Sequence, residues 1–114
     1  MAMELKISKE QEITILTPNG NIDLYNVSKL RFALDKLHTD KVENFIIDLQ
    51  NVEFIDSSGL SVFIREMSRQ KERGKRLKLA SIGETVARLF RWTTTSMHID
   101  KFNDLDEAIR SYKP

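Results

Sequence analysis

The chain has 114 residues, 40% hydrophobic and 31% charged, with a formal net charge of +1. That size and balance predict one globular domain with a modest core, and a charge so near zero gives no whole-molecule attraction to nucleic acid or membrane. Cysteine is absent, which excludes disulfides and thiolate metal sites, and His38 and His98 lack a metal-ligand spacing.

No apolar run approaches a membrane span, and MAMELKISKEQ has no signal-peptide core, so a reducing, cytoplasmic setting is expected. Met3, Leu5 and Ile7 alternate with polar residues, as do Ile13 and Ile15. The spacing predicts two short strands separated by the polar SKEQE. Pro18 has no N–H to offer a ladder, so the second strand is expected to end there or lie at an edge. Asn19-Gly20-Asn21 marks a sharp change of direction. Val27, Leu30, Leu34 and Leu37 recur at helical spacing and predict a helix over 25–38, with Asp23 or Asn26 near its N-cap. FIIDL, residues 45–49, reads as a strand covered on both faces. Val52, Phe54 and Ile55 carry hydrophobicity up to Asp56.

A second helix is expected from Leu60 to about Glu72, with Leu60, Phe63, Ile64 and Met67 inward and Gly74 as its stop. Leu77, Leu79 and Ile82 predict another strand. Val86, Leu89 and Phe90 begin a third helix, followed by the threonine-rich RWTTTSM. Ile99 and Phe102 predict a last short strand. Asp104 with Glu107 forms an acidic variant of the capping box, opening a final helix with Leu105, Ala108, Ile109 and Tyr112. This alternation predicts a single α/β domain whose sheet is mainly parallel, with crossover helices.

Asp56-Ser57-Ser58-Gly59 falls between a strand and the next helix, where α/β sheets usually carry function. Three readings compete. Serine and aspartate are common in caps and turns, so a purely structural loop is the leading reading from the local residues alone. A hydrolase would need a base, but no G-x-S-x-G elbow is present and neither histidine has a supporting context. The stretch also lacks the repeated glycines and lysine of a phosphate-cradling loop. A phosphoserine at Ser57 or Ser58 would sit at a helix N-terminus, favoured by the dipole and opposed by Asp56. Gly59 is expected to keep the loop uncluttered for an approaching enzyme.

With IIDLQNVEFIDSSGL, GNID (20–23) and GKRLKLASIGETVARLF (74–90) in order, the chain resembles the STAS-domain family. The likeness is to its free-standing bacterial anti-sigma factor antagonists and runs from about residue 4 to residue 112. The resemblance implies one STAS domain over 1–114, with a mixed, mainly parallel sheet of four to five strands. It also implies a non-enzymatic protein without cofactor or metal, a monomer that works by partner switching. The unmodified form would bind a serine-kinase anti-sigma factor and free a sigma factor. Phosphorylation of Ser57, with Ser58 as the alternate, would end that contact, and a PP2C-type phosphatase would restore it. Asp23, Asp56, Ser57, Ser58, Gly59 and Leu60 would then form the partner-binding surface. The competing reading is a phosphorylation-independent STAS adaptor in a transport or secretion-regulating complex.

Pro18 and RWTTTSMHI depart from the family pattern, the first in the length of a strand and the second in the turn after the third helix. The cations from Arg65 to Lys78 read as a solvated helix face and a basic C-terminus rather than a nucleic-acid site. Trp92 is expected to be partly buried beside Phe90, with an exposed contact residue as the alternative.

Overall fold

In the computed structural model, which describes residues 3–92 and 98–112, the first two strands form one hairpin. β1 (Glu4–Glu10) and β2 (Ile13–Asn19) pair antiparallel from Glu4↔Asn19 to Glu10↔Ile13. Gln11 and Glu12 connect them with φ of 52° and 66°, the double left-handed conformation of a type I′ turn. SKEQE therefore does not separate the strands: its first three residues belong to β1. Pro18 does not end β2 either. Counting from the hairpin pair Glu10↔Ile13, the pair Leu5↔Pro18 is of the non-hydrogen-bonded kind, so the proline nitrogen faces the β3 side. There the β2–β3 ladder has already stopped at Leu16↔Ile47, and no hydrogen bond is lost.

The remaining elements are α1 (Val27–Thr39), β3 (Phe45–Asp48), α2 (Ser57–Glu72), β4 (Leu77–Ala80), α3 (Glu84–Arg91), β5 (Ile99–Phe102) and α4 (Leu105–Arg110). The sheet order is β1-β2-β3-β4-β5, parallel in every pair except the hairpin. Side-chain alternation divides the core. Leu16, Ile47, Leu77 and Leu79 face α1, α2 and α3, while Ile15, Ile46 and Ala80 face Ala108 and Ile109 of α4. Tyr112 helps dock α4, donating its hydroxyl to the Phe45 carbonyl at 3.0 Å.

Gly74, with φ of 71°, follows the end of α2, and the Asp104 carboxylate caps α4 by accepting from the Glu107 N–H, as the residue order implies. Three expectations fail. Ile64 is exposed, because the buried face of α2 is Gly59, Val62, Phe63, Glu66 and Gln70. Ile82 lies beyond β4. Trp92 is 84% exposed: Phe63 occupies the space against Phe90, ring to edge, at 5.6 Å. Threonines 93–95 and Met97 lie outside the described residues.

Glu66, fully buried on α2, clasps that helix to α1. Its carboxylate accepts from Gln70 at 2.8 Å and pairs with His38 Nε2 at 2.7 Å. Asp35 of α1 receives Arg65 and Arg69 of α2. Further along the basic stretch, Arg73 and Lys75 meet Glu43, and Arg76 meets Asp100. Arg65, Arg69, Arg73, Lys75 and Arg76 are thus engaged in ion pairs within the chain.

Candidate functional site

The loops holding GNID and DSSG come from different strand ends and are stitched into one surface. Beyond β2 and β3, Ile22 and Ile55 form an isolated parallel bridge. Ile22 N–H donates to the Phe54 carbonyl at 3.1 Å, and Asp56 N–H donates to the Ile22 carbonyl at 3.0 Å. Asn21 holds the same seam with its side chain, whose oxygen accepts from the Glu53 and Phe54 N–H groups. Asn26 holds it from below, donating to the Asn21 carbonyl at 2.8 Å and accepting from Asp23 N–H. Asp23 turns back on itself and accepts from Tyr25 N–H at 2.9 Å, an Asx turn.

Asp56 is the hub. One carboxylate oxygen accepts from the Ser58 N–H, the Gly59 N–H and the Ser58 hydroxyl, the last at 2.6 Å. The other accepts from Leu24 N–H at 3.0 Å, across the seam. Asp56 is thus the N-cap of α2, and the helix begins at Ser57 rather than at Leu60. Neither serine caps it.

The two serines consequently differ. Ser58 is half-buried with its hydroxyl bound to Asp56, whereas Ser57 is exposed and its hydroxyl has no partner among the described residues. Two of the first-turn amides that might have received an anion, those of Ser58 and Gly59, are already taken by Asp56. The helix therefore offers a phosphate on Ser57 less stabilisation than its position alone implies.

Gly59 has a different role from the one expected of it. It is buried and faces inward, and a Cβ there would lie 2.5 Å from a methyl of Ile55 and 2.9 Å from one of Ile22. The glycine lets the first turn of α2 rest on the bridge that joins the two loops. Leu60 is half-buried against the core rather than fully presented. Asp23, Asp56, Ser57, Ser58 and Leu60 are brought together as the motifs predict. Asn21 and Asn26 read from sequence as turn and cap residues rather than as the holders of this seam, and neither the Leu24 amide nor the exposed Leu24, Tyr25 and Phe54 were expected at the site. Asn21 inside GNID and Asn26 three residues beyond it were the available signal.

The Ser58 hydroxyl, the Gly59 N–H and the amides of Leu24 and Ser58 hold the Asp56 carboxyl below its ordinary 3.8 against a smaller opposing effect of desolvation. A depressed folded value means that Asp56 contributes stability above about pH 3.8 and loses it as pH falls through the lower folded value. Asp56→Asn is therefore expected to be less stable than the parent at neutral pH. The difference should shrink below pH 3.8 in denaturant titrations at stepped pH; a gap independent of pH would contradict this linkage.

The STAS domain family model matches residues 4–108. An anti-sigma-B factor antagonist of Staphylococcus aureus is 22% identical over 108 residues, covering 93% of this chain and 100% of the relative. One from Staphylococcus epidermidis is 26% identical, with 76% and 82% covered. Among solved structures, an anti-sigma factor antagonist from Mycobacterium paratuberculosis superposes with a TM-score of 0.86 at 21% identity, covering 98% of this chain and 95% of that one. The phosphorylated Bacillus cell fate determinant SpoIIAA gives 0.76 at 17% identity, with 96% and 100% covered. With the match spanning nearly every element and both stitched loops, the chain belongs to the STAS domain family.

Proposed function

We propose that this protein is an anti-sigma factor antagonist whose unmodified form binds a serine-kinase anti-sigma factor, and that phosphorylation of Ser57 switches that binding off. The observation that carries the reading is the contrast between the serines: Ser57 is exposed with an unengaged hydroxyl, while Ser58 is tied to Asp56. The names of the full-length relatives support the antagonist role, and the intact GNID and DSSG loops support the switch. A PP2C-type phosphatase would reset it, and the setting would be the cytoplasm.

The chemistry belongs to the partner. The kinase transfers a phosphoryl group to Ser57, and this chain supplies only an accessible hydroxyl on a rigid platform. Asp56 fixes the first turn of α2 so that the hydroxyl is presented in one place. A phosphate then adds roughly −1.5 to −2 charges beside a carboxylate that is already ionised.

Incubation with the kinase and ATP, followed by peptide mass spectrometry, tests the assignment. One phosphate on Ser57, and none on Ser57→Ala, is expected. Phosphate elsewhere, or unchanged labelling of Ser57→Ala, would refute it. The adaptor reading gives another outcome: Ser57→Asp would keep full partner affinity.

A further inference from the structure

A cleft of about 230 Å³ opens beside the serine loop, between Phe54 and Ile55 on one side and α3 on the other. Val86, Arg88, Leu89 and Trp92 line it. Its walls are chiefly apolar, yet Phe54 is 51% and Trp92 84% exposed, in a chain that contains no other tryptophan. Large aromatics left in water around an apolar hollow are the usual anchor points of an interface.

We propose that this cleft seats an apolar side chain of the same partner that meets Ser57, carried on a segment whose neighbouring carboxylate pairs with Arg88. Two observations select that occupant. The cleft is continuous with the serine surface, because Ile55 lines it and is bonded to Asp56, the cap of the serine helix. The charges are also ordered across the surface. Asp23 and Asp56 belong to the serine loops, whereas Arg88 belongs to α3, which forms the facing wall of the cleft. Glu84 sits nearer Arg91, at 3.1 Å, than Arg88, at 3.9 Å, so Arg88 is the more loosely held cation. A partner with a basic group toward the aspartates and an acidic group toward Arg88 has one orientation in which both meet and an apolar side chain falls in between. The inference rests on the proposed switch, in that it assigns a second contact to the same partner.

This division gives the two contacts separate jobs. The cleft supplies affinity that phosphorylation does not touch, and Ser57 supplies the veto.

The test uses the purified serine-kinase anti-sigma factor and this chain labelled with 5-fluorotryptophan, whose single fluorine resonance reports on residue 92. That resonance is expected to shift when the partner is added. Trp92→Ala and Arg88→Glu, both exposed substitutions checked for an unchanged circular dichroism spectrum, should each weaken binding by about tenfold or more in calorimetry. If both variants bind like the parent while Ser57→Asp does not, the cleft contact is wrong and the switch stands. If Ser57→Asp binds like the parent while the cleft variants fail, the switch is wrong and the cleft stands. A resonance that moves with protein concentration alone, together with a doubled sedimenting mass, would make a second copy the occupant and overturn the proposal. So would a resonance already typical of a buried indole in the free chain and unmoved by the partner, since the chain itself would then fill the cleft.

Discussion

Gly59→Ala is expected to destabilise the protein by about 1–3 kcal/mol, although alanine is the better helix former by up to about 1 kcal/mol. The sign depends on the bridge beneath. An added methyl would stand 2.5 Å from Ile55 and 2.9 Å from Ile22, and both residues are buried. Relief would require α2 to lift from the seam or the isoleucines to leave their rotamers. Either movement also disturbs Asp56, whose amide is bonded to Ile22, so the orientation of Ser57 should suffer with the stability. Urea unfolding of the two proteins checks the first effect, and the phosphorylation rate of the folded variant checks the second. An alanine variant as stable as the parent would show that the seam yields easily and that Gly59 has no packing role.

The same glycine shows where the sequence could be read and where it could not. Its place in DSSG was visible, but the reason for it was not, because Ile22 lies 37 residues earlier and only the folded sheet brings the two together. The order of the nine elements among the described residues was legible, since Val27, Leu30, Leu34 and Leu37 on one side and FIIDL on the other carry distinct periodicities. Failures fell where tertiary context overrides a local rule. Pro18 reads as a strand terminator until the β3 ladder is seen to stop before it reaches the proline. Ile64 reads as core until Glu66 and Gln70, two polar residues, are found on the buried face, occupied by the clasp to His38. Trp92 reads as partly buried beside Phe90, yet Phe63 already packs against that ring. At the site, the local residues left Ser57 and Ser58 open and the family resemblance put Ser57 first. The physical difference between them, the 2.6 Å bond from Ser58 to Asp56, is one that no pattern of letters encodes.

Phosphorylation of Ser57 is expected to weaken partner binding at least about a hundredfold, equivalent to roughly 3 kcal/mol. The chain need not refold for this to happen. The Asp56 carboxylate already occupies two first-turn amides of α2, those of Ser58 and Gly59, so the helix offers the phosphate little further support. On the proposed reading, it would add bulk and charge at the centre of a contact matched to a neutral hydroxyl. An unpaired charge desolvated under a partner costs several times what a rim charge does, which is why one group suffices. The mechanism also separates positions. Ser57→Asp should mimic part of the effect, whereas Ser58→Ala should act mainly by loosening the cap, lowering stability more than affinity.

The most direct measurement is calorimetric titration of the serine-kinase anti-sigma factor with this chain in two forms, unmodified and stoichiometrically phosphorylated on Ser57. The expected result is tight binding of the unmodified form, loss of at least about a hundredfold on phosphorylation, and full recovery after treatment with a PP2C-type phosphatase. Equal affinities for the two forms, with phosphate verified on Ser57, would contradict the switch and leave a STAS domain that binds irrespective of modification.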